Sequence, residues 1–174
     1  AKVQQLVDEQ LTAFRRNFDT VNLSYAKSRH LSAFDVLTIA SMVEREVQVP
    51  KERALVASVI YNRLHAGMPL QIDATVRFAT GNWTRPLRRS ELRTPSAYNT
   101  YTQPGLPLGP IGSPGIASIR AAARPARTSF LYYVVKPCGH GEHVFARTDA
   151  QFQRALKRYN RERARRGGKS PTNC

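Results

Sequence analysis

Apolar residues recur through the first eighteen positions at Val3, Leu6, Val7, Leu11, Phe14 and Phe18. That is the spacing of one helix face, and it predicts an opening amphipathic helix. The connector NLSYAKSRHLSAF leads into a second helix, for which Ser32 supplies an N-cap and Asp35 a negative charge near the positive end. Pro50 either ends that helix or begins the next, since proline is accepted in a first turn and resisted later. KERALVASVIYNRLHAG then places Leu55, Val56, Val59, Ile60 and Leu64 at helical spacing, and Gly67 suits a left-handed stop.

From Met68 to Gly115 the pattern changes to a stretch rich in Pro, Gly, Thr and Asn, with short turns of helix expected after Asp73 and after Ser90. Loops this long inside one domain are uncommon unless they bind something. Ser113-Pro114 opens a short helix, IASIRAAA, that stops before Pro125. SFLYYVV is strand-like in its β-branched and aromatic content, and CGHGEHVFAR reads as a turn and return strand. Thr148 with Gln151 matches a capping box, and Phe152, Leu156 and Tyr159 continue a last helix. The expected fold is α+β: a mostly helical single domain with a small antiparallel hairpin near 129–146. Residues 1–160 form the domain, divided into a helical part (1–67), a loop-rich cleft part (68–115) and a helix-hairpin-helix part (113–160). Residues 161–174 form a basic tail.

Two acids interrupt the most apolar helix, in the stretch ASMVEREV. Residues two apart on a helix point to nearly opposite sides, so Glu44 and Glu46 cannot act as a pair. Glu44 falls in line with Leu37, Ala40, Ser41 and Val47, and Glu46 with Ile39, Met42 and Val43. Both faces carry apolar neighbours, so at least one acid is expected to meet protein rather than bulk water.

Composition narrows the classes. With 174 residues, 41% of them hydrophobic, the chain is long enough for one core. Lys and Arg outnumber Asp and Glu by 27 to 12, giving +15, and about half of that excess lies between Arg154 and Lys169, where eight cations face Glu162 alone. Such a field favours polyanionic surroundings without choosing among nucleic acid, acidic lipid and anionic wall polymer. The longest wholly apolar run, FLYYVV, is far short of the ~20 residues a membrane helix needs. The first residue is Ala rather than Met, which suggests a trimmed fragment whose anchor, if any, is elsewhere in the parent protein. The two cysteines, Cys138 and Cys174, would if bridged contribute roughly 3 to 4 kcal/mol and tie the C-terminus to the body; the alternative is two unrelated thiols.

CGHGEH offers Cys138, His140, Glu142 and His143 as metal ligands, but the spacing is not a recurrent zinc pattern, and a hairpin turn explains the glycines. No metal and no cofactor are expected. The basic tail carries no recognisable nucleic-acid module, so no nucleic-acid partner is expected either. A sugar polymer is bound by amides and carboxylates that meet hydroxyls and by aromatic faces that lie on pyranose rings. Asn62, Gln71, Asp73, Tyr98, Asn99, Tyr101 and Gln103, taken with a half-buried Glu, supply that set and make a cleft expectation. Taken singly, each also has a purely structural use, as a cap, a turn or a tethered core side chain.

ASMVEREV, VASVIYNRL, LQIDATV, TPSAYNTYTQPGLPLGPIGSPG and AAARPA with FLYYVV, in this order, resemble the MltG (YceG-like) endolytic murein transglycosylases. The resemblance runs from about Leu37 to Tyr159. It implies cleavage of the β-1,4 bond between N-acetylmuramic acid and N-acetylglucosamine in peptidoglycan strands, leaving a 1,6-anhydromuramyl end. It places the catalytic acid on the first Glu of a Val-Glu-Lys-Glu type motif, here Glu44, with Arg45 in place of the usual Lys and Glu46 as the runner-up. It further implies an extracytoplasmic location at the cell membrane through an anchor outside this sequence, and action beside peptidoglycan synthases.

Ordinary glycosidases set two carboxylates across the scissile bond. A transglycosylase needs one, which protonates the glycosidic oxygen and then takes the proton of the sugar's own 6-hydroxyl. That acid must start protonated, and partial burial raises its pKa. Competing readings are a non-catalytic wall-binding module, a two-carboxylate hydrolase using Glu44 and Asp73, and a basic nucleic-acid-binding domain.

Overall fold

The segment Ala33–Glu46 forms the central helix because both of its faces find apolar partners: Val36, Ile39, Ala40, Met42 and Val43 are all fully buried. The computed structural model describes residues 2–174. In chain order it comprises α1 (Val3–Phe18), α2 (Ser24–Ser28), α3 (Ala33–Glu46), a 3-10 turn at Pro50–Glu52 leading directly into α4 (Arg53–His65), α5 (Asp73–Thr80), a second 3-10 turn (Glu91–Arg93), α6 (Ile116–Ala123), strands β1 (Tyr132–Val135) and β2 (His143–Ala146), and α7 (Asp149–Arg165). This is the mostly helical α+β arrangement expected from the sequence. The short α2 lies within what reads in sequence as a connector.

Local chemistry sets the ends of these elements. Ser32 and Asp35 close a reciprocal capping box on α3, as Thr148 and Gln151 do on α7. Pro50 sits in the first turn of its 3-10 helix, where its missing N–H costs nothing. Helices α3, α4 and α6 then pack around one core, in which α6 supplies Ile119, Ala122 and Ala123, and α4 supplies Val56, Ala57, Ile60 and Tyr61. The Tyr61 hydroxyl reaches the Ala122 carbonyl at 2.9 Å, locking α4 to α6 through the only polar atom of that ring.

The hairpin pairs Tyr132 with Ala146 and Val135 with His143 in antiparallel register, and α7 packs against both strands. Its turn is cramped. Gly141 has φ +90°, and a Cβ there would fall 2.4 Å from the Gln48 side-chain oxygen, so only glycine fits.

Two features depart from the sequence pattern. Helix α1 forms as its periodicity predicts, yet none of its residues is buried, and Val3 and Leu6 remain 81% and 54% exposed. Helix α7 continues to Arg165, past the boundary drawn at 160, helped by Glu162 pairing with Arg166 one turn on at 3.1 Å. The end of the chain is not a loose tail. Cys138 N–H donates to the Pro171 carbonyl (2.8 Å), His140 N–H to the Thr172 carbonyl (2.9 Å), and Cys138 and Cys174 form a disulfide.

Candidate active site

The long middle segment is ordered by its own polar side chains. Asn99, wholly buried, donates to the carbonyls of Leu92 and Thr94 and accepts the Tyr101 N–H. Thr100 Oγ1 accepts the Ile72 N–H at 2.9 Å and meets Thr75 Oγ1, while the Gln71 N–H bonds the Thr100 carbonyl. These contacts fasten the YNTY loop to the LQID segment. Tyr101 is thereby delivered to Asp73, to which its hydroxyl donates at 2.6 Å. Gln71 is held at φ +52°, a backbone conformation that a non-glycine residue takes up only when its surroundings impose it.

Asp73 begins α5 beside the end of α3, and there the two acids of ASMVEREV part. Glu46 turns toward the hairpin and α5: Tyr133 donates its hydroxyl to Oε2 at 3.1 Å, and Ala74 N–H points at Oε1 at 3.4 Å. Glu46, Gln71, Asp73, Tyr101, Tyr133 and Arg63 line one groove of about 510 Å³, walled on the far side by Tyr132, His143 and α7. Burial, with a smaller contribution from the Asp73 carboxylate, pushes Glu46 up to about 7 against the opposing bonds from Tyr133 and Ala74.

Glu44 turns the other way. Its Oε2 accepts the Ser118 hydroxyl at 2.5 Å and the Gly115 N–H at 3.2 Å, so it staples the start of α6 to α3. Ser118 is fully buried and receives Arg53 Nε in turn. Glu44 is not among the residues that line the groove.

Gln71, Asp73 and Tyr101 of the expected sugar-binding set thus meet in one place. The others do not. Asn62 spends its amide on the carbonyls of Thr128 and Phe130, tying α4 to the chain that enters β1. Tyr98 packs on Phe78 with ring centroids 4.8 Å apart, Asn99 is consumed by its loop, and Gln103 is exposed. Arg63, Tyr133 and Tyr132 were not singled out in sequence. Arg63 is 8% exposed and donates to the carbonyls of Leu131, Pro69 and Leu70, with Tyr132 stacked over its guanidinium at 5.2 Å. An arginine among the apolar residues of VIYNRL, in a helix that buries Val59 and Ile60, was the available signal.

Three of the four metal-capable residues at the hairpin turn are otherwise engaged. Cys138 is in the disulfide, Glu142 binds Lys51 and Lys136 and is pushed down to about 2 by them, and His143 binds Glu52.

The sequence profile of the YceG-like family matches residues 1–158. The chain belongs to the YceG-like family. Relatives of this YceG-like chain include the endolytic murein transglycosylase of Bacillus subtilis, 39% identical over 136 residues, and that of Streptococcus pneumoniae, 34% identical over 137. These alignments take in 78% and 76% of the chain but 37% and 25% of the relatives, so the chain spans well under half the length of either. The crystal structure of a YceG-like protein from Listeria monocytogenes superposes with a TM-score of 0.71 at 31% identity, covering 86% of this chain and 46% of that one.

Proposed function

We propose that this YceG-like chain is the catalytic part of an endolytic murein transglycosylase, with Glu46 as its acid. The observation that carries the reading is the Glu46 carboxyl on the wall of an open groove, its pKa raised to about 7 by burial and by the Asp73 carboxylate beside it. Glu46 protonates the glycosidic oxygen between N-acetylmuramic acid and N-acetylglucosamine, and the C1–O4 bond breaks with an oxocarbenium-like C1 left behind. The carboxylate so formed takes the proton of the 6-hydroxyl as O6 closes on C1, giving the 1,6-anhydro end without consuming water. Positive charge developing at C1 is met by Asp73, and Gln71 and Tyr101 hold sugar hydroxyls and the ring face. Positioned proton transfer of this kind is worth ~10² to 10⁴ in rate.

Glu44, placed first by the family motif, keeps a structural role in this reading, because its carboxylate is committed to Ser118 and Gly115. The parent protein would act at the extracytoplasmic face of the membrane, beside glycan-polymerising synthases. Among the described residues no helix is long and apolar enough to cross a membrane.

Digestion of peptidoglycan sacculi followed by mass spectrometry is the test. Wild type is expected to release anhydro-muropeptides, Glu46→Gln to lose them by a factor of roughly 10² or more, and Glu44→Gln to retain them. Loss in Glu44→Gln with retention in Glu46→Gln returns the role to Glu44. The closeness of Asp73 to Glu46 supports a second reading, a two-carboxylate hydrolase, which would give reducing ends in the same spectrum. A binding module would give neither.

A further inference from the structure

One buried acid–base pair beside the groove takes no part in the reaction above. The side chains of Glu52 and His143 are only 5% and 6% exposed, with Oε2 and Nδ1 2.8 Å apart. The other oxygen of Glu52 accepts the backbone N–H of His143 at 2.9 Å. One carboxylate thus grips one histidine at two points, and the neighbours support the grip: the Tyr133 ring meets His143 edge-on, with centroids 5.2 Å apart.

This fixes what His143 can offer. A neutral imidazole carries its proton on one nitrogen, and the carboxylate at Nδ1 demands it there. Nε2 is left with a lone pair. Among the described residues Nε2 has no protein partner, yet no buried side-chain nitrogen or oxygen goes unsatisfied, so Nε2 keeps some accessible surface within an otherwise buried side chain. His143 lines the groove that holds Glu46, so this is the space into which it opens. Of the three tyrosines there, Tyr101 and Tyr133 already donate their hydroxyls, to Asp73 and Glu46, and Arg63 is occupied by carbonyls.

We propose that His143 is a substrate-binding residue whose Nε2 accepts a hydrogen bond from a hydroxyl or acetamido N–H of the glycan, and that Glu52 is the positioning residue that sets its tautomer. A neutral acceptor aimed into a groove selects a donor, and amino-sugar strands present donors along both faces. The proposal rests on the reading of the groove as a glycan site.

Asn and Gln substitutions at 143 separate the two ends of the ring. Asparagine keeps an N–H where Nδ1 was and so keeps Glu52 satisfied, while removing the groove acceptor; glutamine keeps an oxygen near Nε2 and loses the fit to Glu52. A peptide-free tetrasaccharide of alternating N-acetylglucosamine and N-acetylmuramic acid is titrated into each variant, built on non-cleaving Glu46→Gln, with ¹⁵N spectra of the histidine ring recorded alongside. Nε2 of the parent is expected to give an unprotonated signal that moves on adding the tetrasaccharide, and Glu52→Gln to convert it to the protonated form. His143→Asn is expected to bind roughly tenfold more weakly with an unchanged melting temperature, and His143→Gln to melt lower while holding most of the affinity. A protonated Nε2 in the neutral parent ring overturns the proposal. So does His143→Asn binding as tightly as a parent that binds, and in that case the glycan reading stands. If wild type neither binds the tetrasaccharide nor cleaves sacculi, that reading falls and takes this one with it.

Discussion

Tyr133 on the first strand of the hairpin donates its hydroxyl to Glu46 at the end of α3 across 3.1 Å and 87 positions of sequence. The bond restrains the glutamate and also opposes its protonation, since it favours the charged form, while the Asp73 carboxylate does the reverse. Tyr133→Phe is therefore expected to move the alkaline limb of the pH–rate profile above about 7, and Asp73→Asn to move it below. Rates of anhydro-muropeptide release between pH 5 and 9 read both shifts. Movement of the two limbs in the same direction would remove Glu46 as their origin.

The same carboxyl makes folding depend on pH. A group raised from 4.5 to about 7 keeps its proton in the folded chain where the unfolded chain has lost it. Stability therefore falls as pH rises through that window, with the full cost, about 3 kcal/mol, present above it. Glu46→Gln removes the ionisation, so it is expected to be more stable than wild type at pH 8 and near parity at pH 4. Denaturant midpoints at the two pH values check that the difference present at pH 8 vanishes at pH 4.

Ser118 joins Glu44 to Arg53 from a fully buried position at the start of α6. Ser118→Ala is expected to cost about 1 to 3 kcal/mol, because both partners lose a bond inside the protein. The loss reads out in urea unfolding, and the descending limb of the pH–rate profile stays in place because Glu46 is untouched.

The Cys138–Cys174 disulfide closes a separation of 36 residues around α7. Reduction, or Cys174→Ser, is expected to lower stability by ~4 kcal/mol in the chain-entropy picture. Thermal melts with and without reductant measure it. Since the bridge pins the turn that leads into His143, glycan affinity is expected to weaken in parallel.

The pattern of apolar and capping residues was enough to place every helix except α2, together with the hairpin, the Ser32 N-cap and the Thr148–Gln151 capping box, because these depend on spacing and on side chains within four positions of one another. Ser32 meets Asp35 whatever the rest of the chain does. It also raised the question of two acids on opposite faces of a buried helix. It did not say which face met the groove, because that is set by the position of α6 on one side and of α5 with the hairpin on the other, through contacts spanning 28 to 87 positions.

The same limit explains the sugar-binding set. Asn62, Tyr98 and Asn99 have the right chemistry, but tertiary neighbours claim their polar atoms or ring faces first. Sequence by itself determined the elements, their ends and the stock of polar groups. Only the tertiary structure decided which of those groups stayed unspent on protein partners, because burial and long-range hydrogen bonds exist only once the chain has closed on itself.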